Sequence, residues 1–394
     1  MALYGNLMFL LSLWLLLFLN HAMADELILD IVSFGAKPDG KTDASPVLQT
    51  VWAKACDSSG PATINVPKGT FYIQSGSFKG PCKNNVITIR MDGTLVASSD
   101  IQVLAKTKTW IEFQNVNGLS IYGGVIDGQG SGIWNCKLSG NNCPDGATNL
   151  EIENSQNVII NGLTSINSQM FNIVVHGCQN VNIQGVKVSD AGNSPNTDGI
   201  HVEESSDVTI LSSNIGTGDD CISIGPGTTN LWIENITCGP GHGISVGSLG
   251  KSADEPGVKN VTVTSSTFVG TTNGVRIKSW GRPSNGFATN IHFQHIILDN
   301  VENPIIIDQN YCPHDQGCPG QDSGVKISEV TYEDIKGTSA TEIGVNFDCS
   351  PTNPCTGLSL ENIKVTYNNQ TAKASCKDAK GTASGVVEPP SCLE

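Results

Sequence analysis

"NVNIQGVKV", residues 180–188, sets Val181 and Ile183 in alternation with polar residues, and a glycine then leads into a second apolar pair. Alternation with a period of two is the signature of a half-buried strand. The phrase keeps returning: "NGLSIYGG" from 117, "NVIINGLT" from 157, "DVTILSSNI" from 207, "NLWIENITC" from 230, "NVTVTSSTF" from 260 and "NIHFQHIIL" from 290. From 157 onward the starts fall 23, 27, 23, 30 and 30 residues apart. Between them stands a second short apolar strand: "NIVVHG", "GIHVEE", "CISIG", "GISVGS", "GVRIKS" and "PIIIDQ". Short strands, Gly/Asn turns and a period in the twenties or thirties indicate a solenoid. No repeat has enough apolar surface to bury its own face, so the coils must stack.

These features predict an all-β, right-handed parallel β-helix with two strands per coil and weaker coils in 62–115 and 324–367. A propeller would need longer, antiparallel blades with hairpin signals. One helix is expected, in "SPVLQTVWAKAC" (45–56), with Ser45 as N-cap and Pro46 at the first helical position. It would cover the open N-terminal end, where unpaired strand edges invite aggregation. No domain break is evident, so residues 25–394 read as one β-helix domain.

The chain begins with an apolar run, Leu7 to Leu19, followed by Ala22-Met23-Ala24, which reads as a signal peptide over 1–24. The expected protein is therefore secreted, without a membrane segment after cleavage. A formal charge of −15 with no basic block makes nucleic acid and anionic membranes poor partners. Thirteen cysteines in an exported chain suggest disulfides. Sequence does not fix the pairing, but neighbours suggest Cys136–Cys143, Cys312–Cys318, Cys349–Cys355 and Cys376–Cys392, with Cys56–Cys82 and Cys221–Cys238 as longer loops. Cys178 would be left as a buried thiol. Sequons at Asn235, Asn260 and Asn369 are candidate glycan acceptors, and a monomer is expected.

Aligning the second strands on their apolar pairs places chemistry in a column. Two residues before the first apolar position stand Asp198, Asp220, His242 and Asn273; one residue after it stand His201, Ser223, Ser245 and Arg276. Stacked coils lie about 4.8 Å apart, so the two aspartates and His242 should form a ladder with Asp219 beside it. A bend before Cys221 is expected to turn both Asp219 and Asp220 onto the surface, since an unpaired ionised carboxylate is prohibitive to bury. Three crowded carboxylates cannot all ionise at their usual values, leaving one acid beside ionised bases. Hydrolysis of a glycosidic bond uses that division of roles. A calcium site is the competing reading of such a cluster. Arg276 and Lys278, on one side of one strand, suit an anionic substrate. His201 and His176 read as packing or surface residues, and Asp207 and Asn180 as turn residues in side-chain ladders.

"NTD" at 196–198, "GDD" at 218–220, "GHG" at 241–243, "RIK" at 276–278 and a following Tyr311 together resemble the signatures of the polygalacturonases, glycoside hydrolase family 28. "VSFGAKPDGKTDAS" near the start resembles the plant members, and the likeness covers the whole mature chain. The resemblance implies a pectin-lyase-like solenoid acting on polygalacturonate, or pectin, in the cell wall. Asp219 would be the general acid, Asp198 and Asp220 would activate water, and His242 would support the acid. Arg276 and Lys278 would bind a galacturonate carboxylate, and Asn196 and Tyr311 would shape the subsite. The family inverts anomeric configuration with no metal or organic cofactor. The pollen-type plant members favour exo action, with endo action as the alternative. A calcium-dependent pectate lyase and a non-catalytic β-helix are more remote readings.

Overall fold

The computed structural model describes residues 26–313 and 316–394; the expected signal peptide lies outside them. The chain winds into a parallel β-helix, right-handed as parallel crossovers almost always are. Its coils run from Leu27–Asp30, which pairs with Ala62–Val66, to Ala379–Glu388, which pairs with Cys355–Tyr367. Among the described residues every strand pairing is parallel except one, the return of Gln370–Thr371 onto the end of Cys355–Tyr367. The coils that look weak in the sequence are formed, with register shifts such as the one between Met91 and Thr94, and the ladder continues past both of their limits.

Each central coil has three strands, one more than the sequence pattern predicts. In the coil that begins at Gln156 these are Gln156–Asn161, Thr164–Ile166 and Ile173–His176. The reason lies at the bend inside the first phrase. Gly162 and Gly185, and then Ser212, Asn235 and Ser265 in later coils, adopt left-handed backbone there and split one apparent strand into two. The separate, third strands make a sheet of their own, and that sheet carries the column of candidate site residues.

Register is held by aligned side chains. Val158, Val181, Val208, Leu231, Val261, Ile291 and Val330 stack as partners in successive coils, all essentially buried. Burying each such side chain contributes about 1.5–3 kcal/mol. The preceding asparagines have left-handed backbone and form the anticipated ladder: Asn180 donates to Asn157, Asn230 to Asp207, Asn260 to Asn230, and Asn290 to Asn260. Asp207 and Asn180 are thus structural, as their turn positions suggest.

The helix covering the N-terminal end spans Ser45–Asp57 and buries Leu48, Val51, Trp52 and Ala55. Trp52 packs on Phe78 and Phe113 at ring distances of 5.5 and 5.3 Å. The N-cap is Ala44 rather than Ser45, because the Asp43 carboxylate already accepts from both the Ser45 amide and its hydroxyl. A second helix, Ser131–Leu138, goes beyond the sequence expectation; it lies in the Cys136 loop, whose lack of an apolar stripe hides it.

Near the C-terminal end Phe293, Tyr332 and Phe347 stack at 5.3 and 5.5 Å, with the Tyr332 hydroxyl buried and unpartnered. An unpaired buried hydroxyl costs about 1–3 kcal/mol. Tyr332→Phe is expected to raise the urea midpoint, and a lower midpoint would show that the hydroxyl has a partner.

Candidate active site

The third strands Ile200–Glu203, Ile222–Ile224, Ile244–Leu249 and Asn273–Trp280 pair in the alignment expected from sequence: Ile200 with Ile222, Ile222 with Ile244, and Ile244 with Val275. Their apolar residues point into the core, and His201, Ser223, Ser245 and Arg276 stand in one outward row. Asp219 is fixed by a bend. Thr217 Oγ1 donates to its carbonyl at 2.9 Å, and the His242 amide donates to the same carbonyl at 2.7 Å. The bend closes Asp219 onto its neighbour as well, since the Asp220 amide donates to Asp219 Oδ1 at 2.8 Å. The Cys221–Cys238 disulfide ties the strand behind it to the next coil. All six suggested disulfides are present, and Cys178 is the buried free thiol.

His242 comes to Asp219 through two glycines that tolerate no side chain. Gly241 and Gly243 have φ of +150° and +86°, and a Cβ on Gly243 would meet the Asn273 carbonyl at 2.1 Å. The imidazole Nδ1 lies 3.0 Å from Asp219 Oδ1. Asn196, itself in left-handed backbone, donates to Asp219 Oδ2 at 3.4 Å. Asp219 keeps 20% of its side-chain surface exposed, so it faces the groove.

Asp220 differs from the sequence expectation. The bend does turn it out of the apolar core, yet it is only 1% exposed because other side chains cover it. Arg276 Nη2 donates to Oδ1 at 2.7 Å, Lys278 Nζ to Oδ2 at 2.8 Å, and Ser245 Oγ to Oδ1 at 2.9 Å. Those partners remove the objection to burying it. Arg276 and Lys278 therefore neutralise an internal carboxylate, a task their spacing alone does not reveal. Tyr311 completes this side, with Lys278 Nζ 5.0 Å from its ring centre and Trp280 edge-on at 5.5 Å.

The three carboxylates are driven apart electrically. Burial, reinforced by the charges of Asp219 and Asp220, raises Asp198 well above the usual carboxylate range, and Ser223 and Lys278 offset only part of this. Burial alone would move Asp220 the same way, but Lys278 and Arg276 outweigh it and hold it well below that range. The proton expected somewhere in the cluster is thus retained by Asp198. In the same coil as Asp198, burial also pushes Asp190 up to about 7, against the hydrogen bonds it accepts from Asn172 and the Ser168 amide. Asp198 and Asp190 both bind protons more tightly folded than unfolded, so stability falls as pH rises from their ordinary value of 3.8 through the raised values. The thermal midpoint is expected to be lower at pH 7.5 than at pH 5, and Asp190→Asn should flatten the slope. A midpoint that climbs over this interval would contradict both assignments.

Asn196, Asp198, Asp219, Asp220, Lys278 and Tyr311 line a groove of about 330 Å³ with Phe171, His201, Glu203, Ser223, Lys251 and Glu255, while His242 and Arg276 lie outside that lining. His201, expected as a packing or surface residue, packs under Phe171 at 5.2 Å in the groove wall, and its Nδ1 lies 2.7 Å from Ser223 Oγ. Its place in the outward row is the signal available in the sequence. Phe171, Lys251 and Glu255 come from loops, which the column alignment does not place. Asp219, Asp220 and His242 bring possible metal ligands within 4.8 Å of one another. Both Asp220 oxygens already accept from cationic donors, which does not suit the six to eight oxygen ligands that calcium takes.

The profile of the family described as "Glycosyl hydrolases family 28" matches residues 56–386. The chain belongs to that family. A polygalacturonase of Prunus persica is 60% identical, over 98% of both chains. An exopolygalacturonase of Platanus acerifolia is 40% identical over 92% of this chain and 97% of its own. Among solved structures, the endo-xylogalacturonan hydrolase of Aspergillus tubingensis superposes with a TM-score of 0.77 at 26% identity, covering 92% of this chain and 100% of that one. This family 28 chain is a glycoside hydrolase of the polygalacturonase type, acting on polygalacturonan.

Proposed function

We propose that this family 28 enzyme is secreted to the cell wall and acts from chain ends, releasing galacturonate by a single inverting displacement. The observation carrying the mechanism is the unequal treatment of three adjacent aspartates: one ionised between two cations, one driven to keep a proton, and one partly open to the groove beside an imidazole. Asp219 gives its proton to the glycosidic oxygen as the bond to the anomeric carbon breaks. A water attacks that carbon from the opposite face and passes its proton to the Asp198/Asp220 pair. In the open site the retained proton rests on Asp198, so the acid step requires its relocation to Asp219 once substrate is bound. His242 and Asn196 orient the Asp219 carboxyl, while Tyr311 and the remaining donors of Arg276 and Lys278 receive the sugar and its carboxylate.

Exo action draws support from the exopolygalacturonase relatives, and secretion from six disulfides and the apolar leader sequence. The test is digestion of polygalacturonic acid with chelator present, following products in time and the anomer first formed by NMR. Galacturonate alone at early times, released as the inverted anomer, is the expected result. Early mixed oligomers would mean endo action; unsaturated ends appearing only with calcium would mean a lyase.

A further inference from the structure

The outward positions of the sheet carrying the site can be followed coil by coil away from the aspartates. On the N-terminal side His201 is followed by Val174, Glu151 and Glu112, and Glu203 by His176, Glu153 and Gln114. Four carboxylates therefore face outward within four successive coils; Glu112, Glu151 and Glu153 line a second cleft, of about 470 Å³, and Glu203 lines the groove of the site. Their hydrogen-bond partners are neutral or imidazole groups. Ser77 Oγ donates to Glu112 at 2.7 Å, the Thr109 hydroxyl to Glu151, and Gln114 Nε2 to Glu153 at 2.6 Å, while His201 Nε2 stands 3.5 Å from Glu203. His201 holds Glu203 below the usual glutamate range, so it stays ionised in acid. Among the described residues no lysine or arginine bridges any of the four; Lys108, Lys251, Lys278, His176 and His201 are the basic side chains lining the same two clefts, and Asp198, Asp219, Asp220 and Glu255 add further carboxylates to the one at the site.

The C-terminal side is different. Arg276 and Lys278 come first; Asp308 follows Lys278 in register, and Asp348 beyond it is paired with Lys377 at 3.4 Å. The two carboxylates there, Asp308 and Asp348, are neighbours in register but are flanked by Lys278 on one side and Lys377 on the other. A polyanion can thus reach the aspartates past Arg276 and Lys278 from the C-terminal side and meets carboxylates that no lysine or arginine bridges on the N-terminal side.

We propose that Glu112, Glu151 and Glu153, continued by Glu203, form an electrostatic stop that prevents a galacturonate chain from extending N-terminally past the catalytic aspartates. Cleavage is then confined to the end of the chain. This rests on the exo reading above and supplies its cause. Charge acts over a screening length of about 8–10 Å in physiological salt, roughly two coil spacings of about 4.8 Å, so Glu151 and Glu153 reach a sugar one or two coils short of them. Neither residue is part of the catalytic machinery.

The experiment compares wild type with Glu151→Gln/Glu153→Gln, using polygalacturonate for product sizes and digalacturonate for the basal rate. At low salt the double variant is expected to raise the early ratio of oligomer to monomer about ten-fold, as loss of two like charges near the chain implies. Digalacturonate cleavage should stay within about two-fold. Added NaCl should raise the same ratio in wild type and have little effect in the variant. A wild type that makes oligomers from the start overturns the exo reading and this inference together. A monomer-releasing wild type whose ratio moves neither with salt nor with the substitutions leaves exo action standing and removes the glutamates as its cause. Should the variant lose digalacturonate cleavage through misfolding, the salt series on wild type decides alone.

Discussion

Asp219→Asn should lower kcat on polygalacturonate by about 10²–10⁴-fold, the range by which a positioned proton donor accelerates a reaction. The amide has the carboxylate's shape but no proton to give. Its Oδ1 can still accept the Asp220 amide, and its partly exposed position leaves no buried charge uncompensated, so the thermal midpoint should move little. The informative comparison is Asp198→Asn. Asp198 is the carboxyl that burial and two like charges drive to keep a proton, whereas the family likeness assigns the acid to Asp219. A substrate with a leaving group good enough to depart without protonation separates the two. It should rescue Asp219→Asn, because the lost function is delivery of a proton to that group. It should not rescue Asp198→Asn, whose loss lies in handling the attacking water. The reverse pattern would move the acid to Asp198 and leave Asp219 as its orienting partner.

The column is legible in the sequence because parallel stacking converts sequence period into position. Once Ile200, Ile222, Ile244 and Val275 are set side by side, Asp198, Asp220 and His242 are neighbours whatever their neighbours in sequence. The same rule explains the asparagine ladder through Asn230, Asn260 and Asn290. The rest depends on contacts that no period encodes. Lys278 reaches back across 58 residues to Asp220, so its role as counter-ion is invisible until the side chains are placed. Phe171 and Lys251 arrive at the groove on loops of irregular length. The additional strand in each coil is hidden for a related reason: Gly162 and Gly185 break the alternation for a single residue, which a five-residue pattern absorbs. The cost of an unpaired charge would keep Asp220 on the surface, and it is the pairing with Arg276 and Lys278, which the sequence assigns to the substrate instead, that allows it inside.

Those cations make Lys278→Met the second large effect. The side chain is 8% exposed and its ammonium donates to a carboxylate that is 1% exposed. Removing one partner of a buried pair typically costs about 3–5 kcal/mol, because the remaining charge keeps its desolvation penalty and loses its compensation. Arg276 Nη2 at 2.7 Å and Ser245 Oγ at 2.9 Å still serve Oδ1, so the loss here should lie near about 3 kcal/mol and fall on Oδ2. Relief by protonation is the carboxylate's other course, which raises its pKa and removes the ionised base from the reaction. The variant should therefore lose kcat as well as affinity, and its activity should shift toward higher pH. Adding Asp220→Asn should restore neither turnover nor stability, since the amide cannot take a proton from water and Arg276, only 12% exposed, then loses its carboxylate partner. A lysine that only received the substrate carboxylate would behave otherwise. Its loss would raise KM at an unchanged thermal midpoint and an unchanged pH optimum.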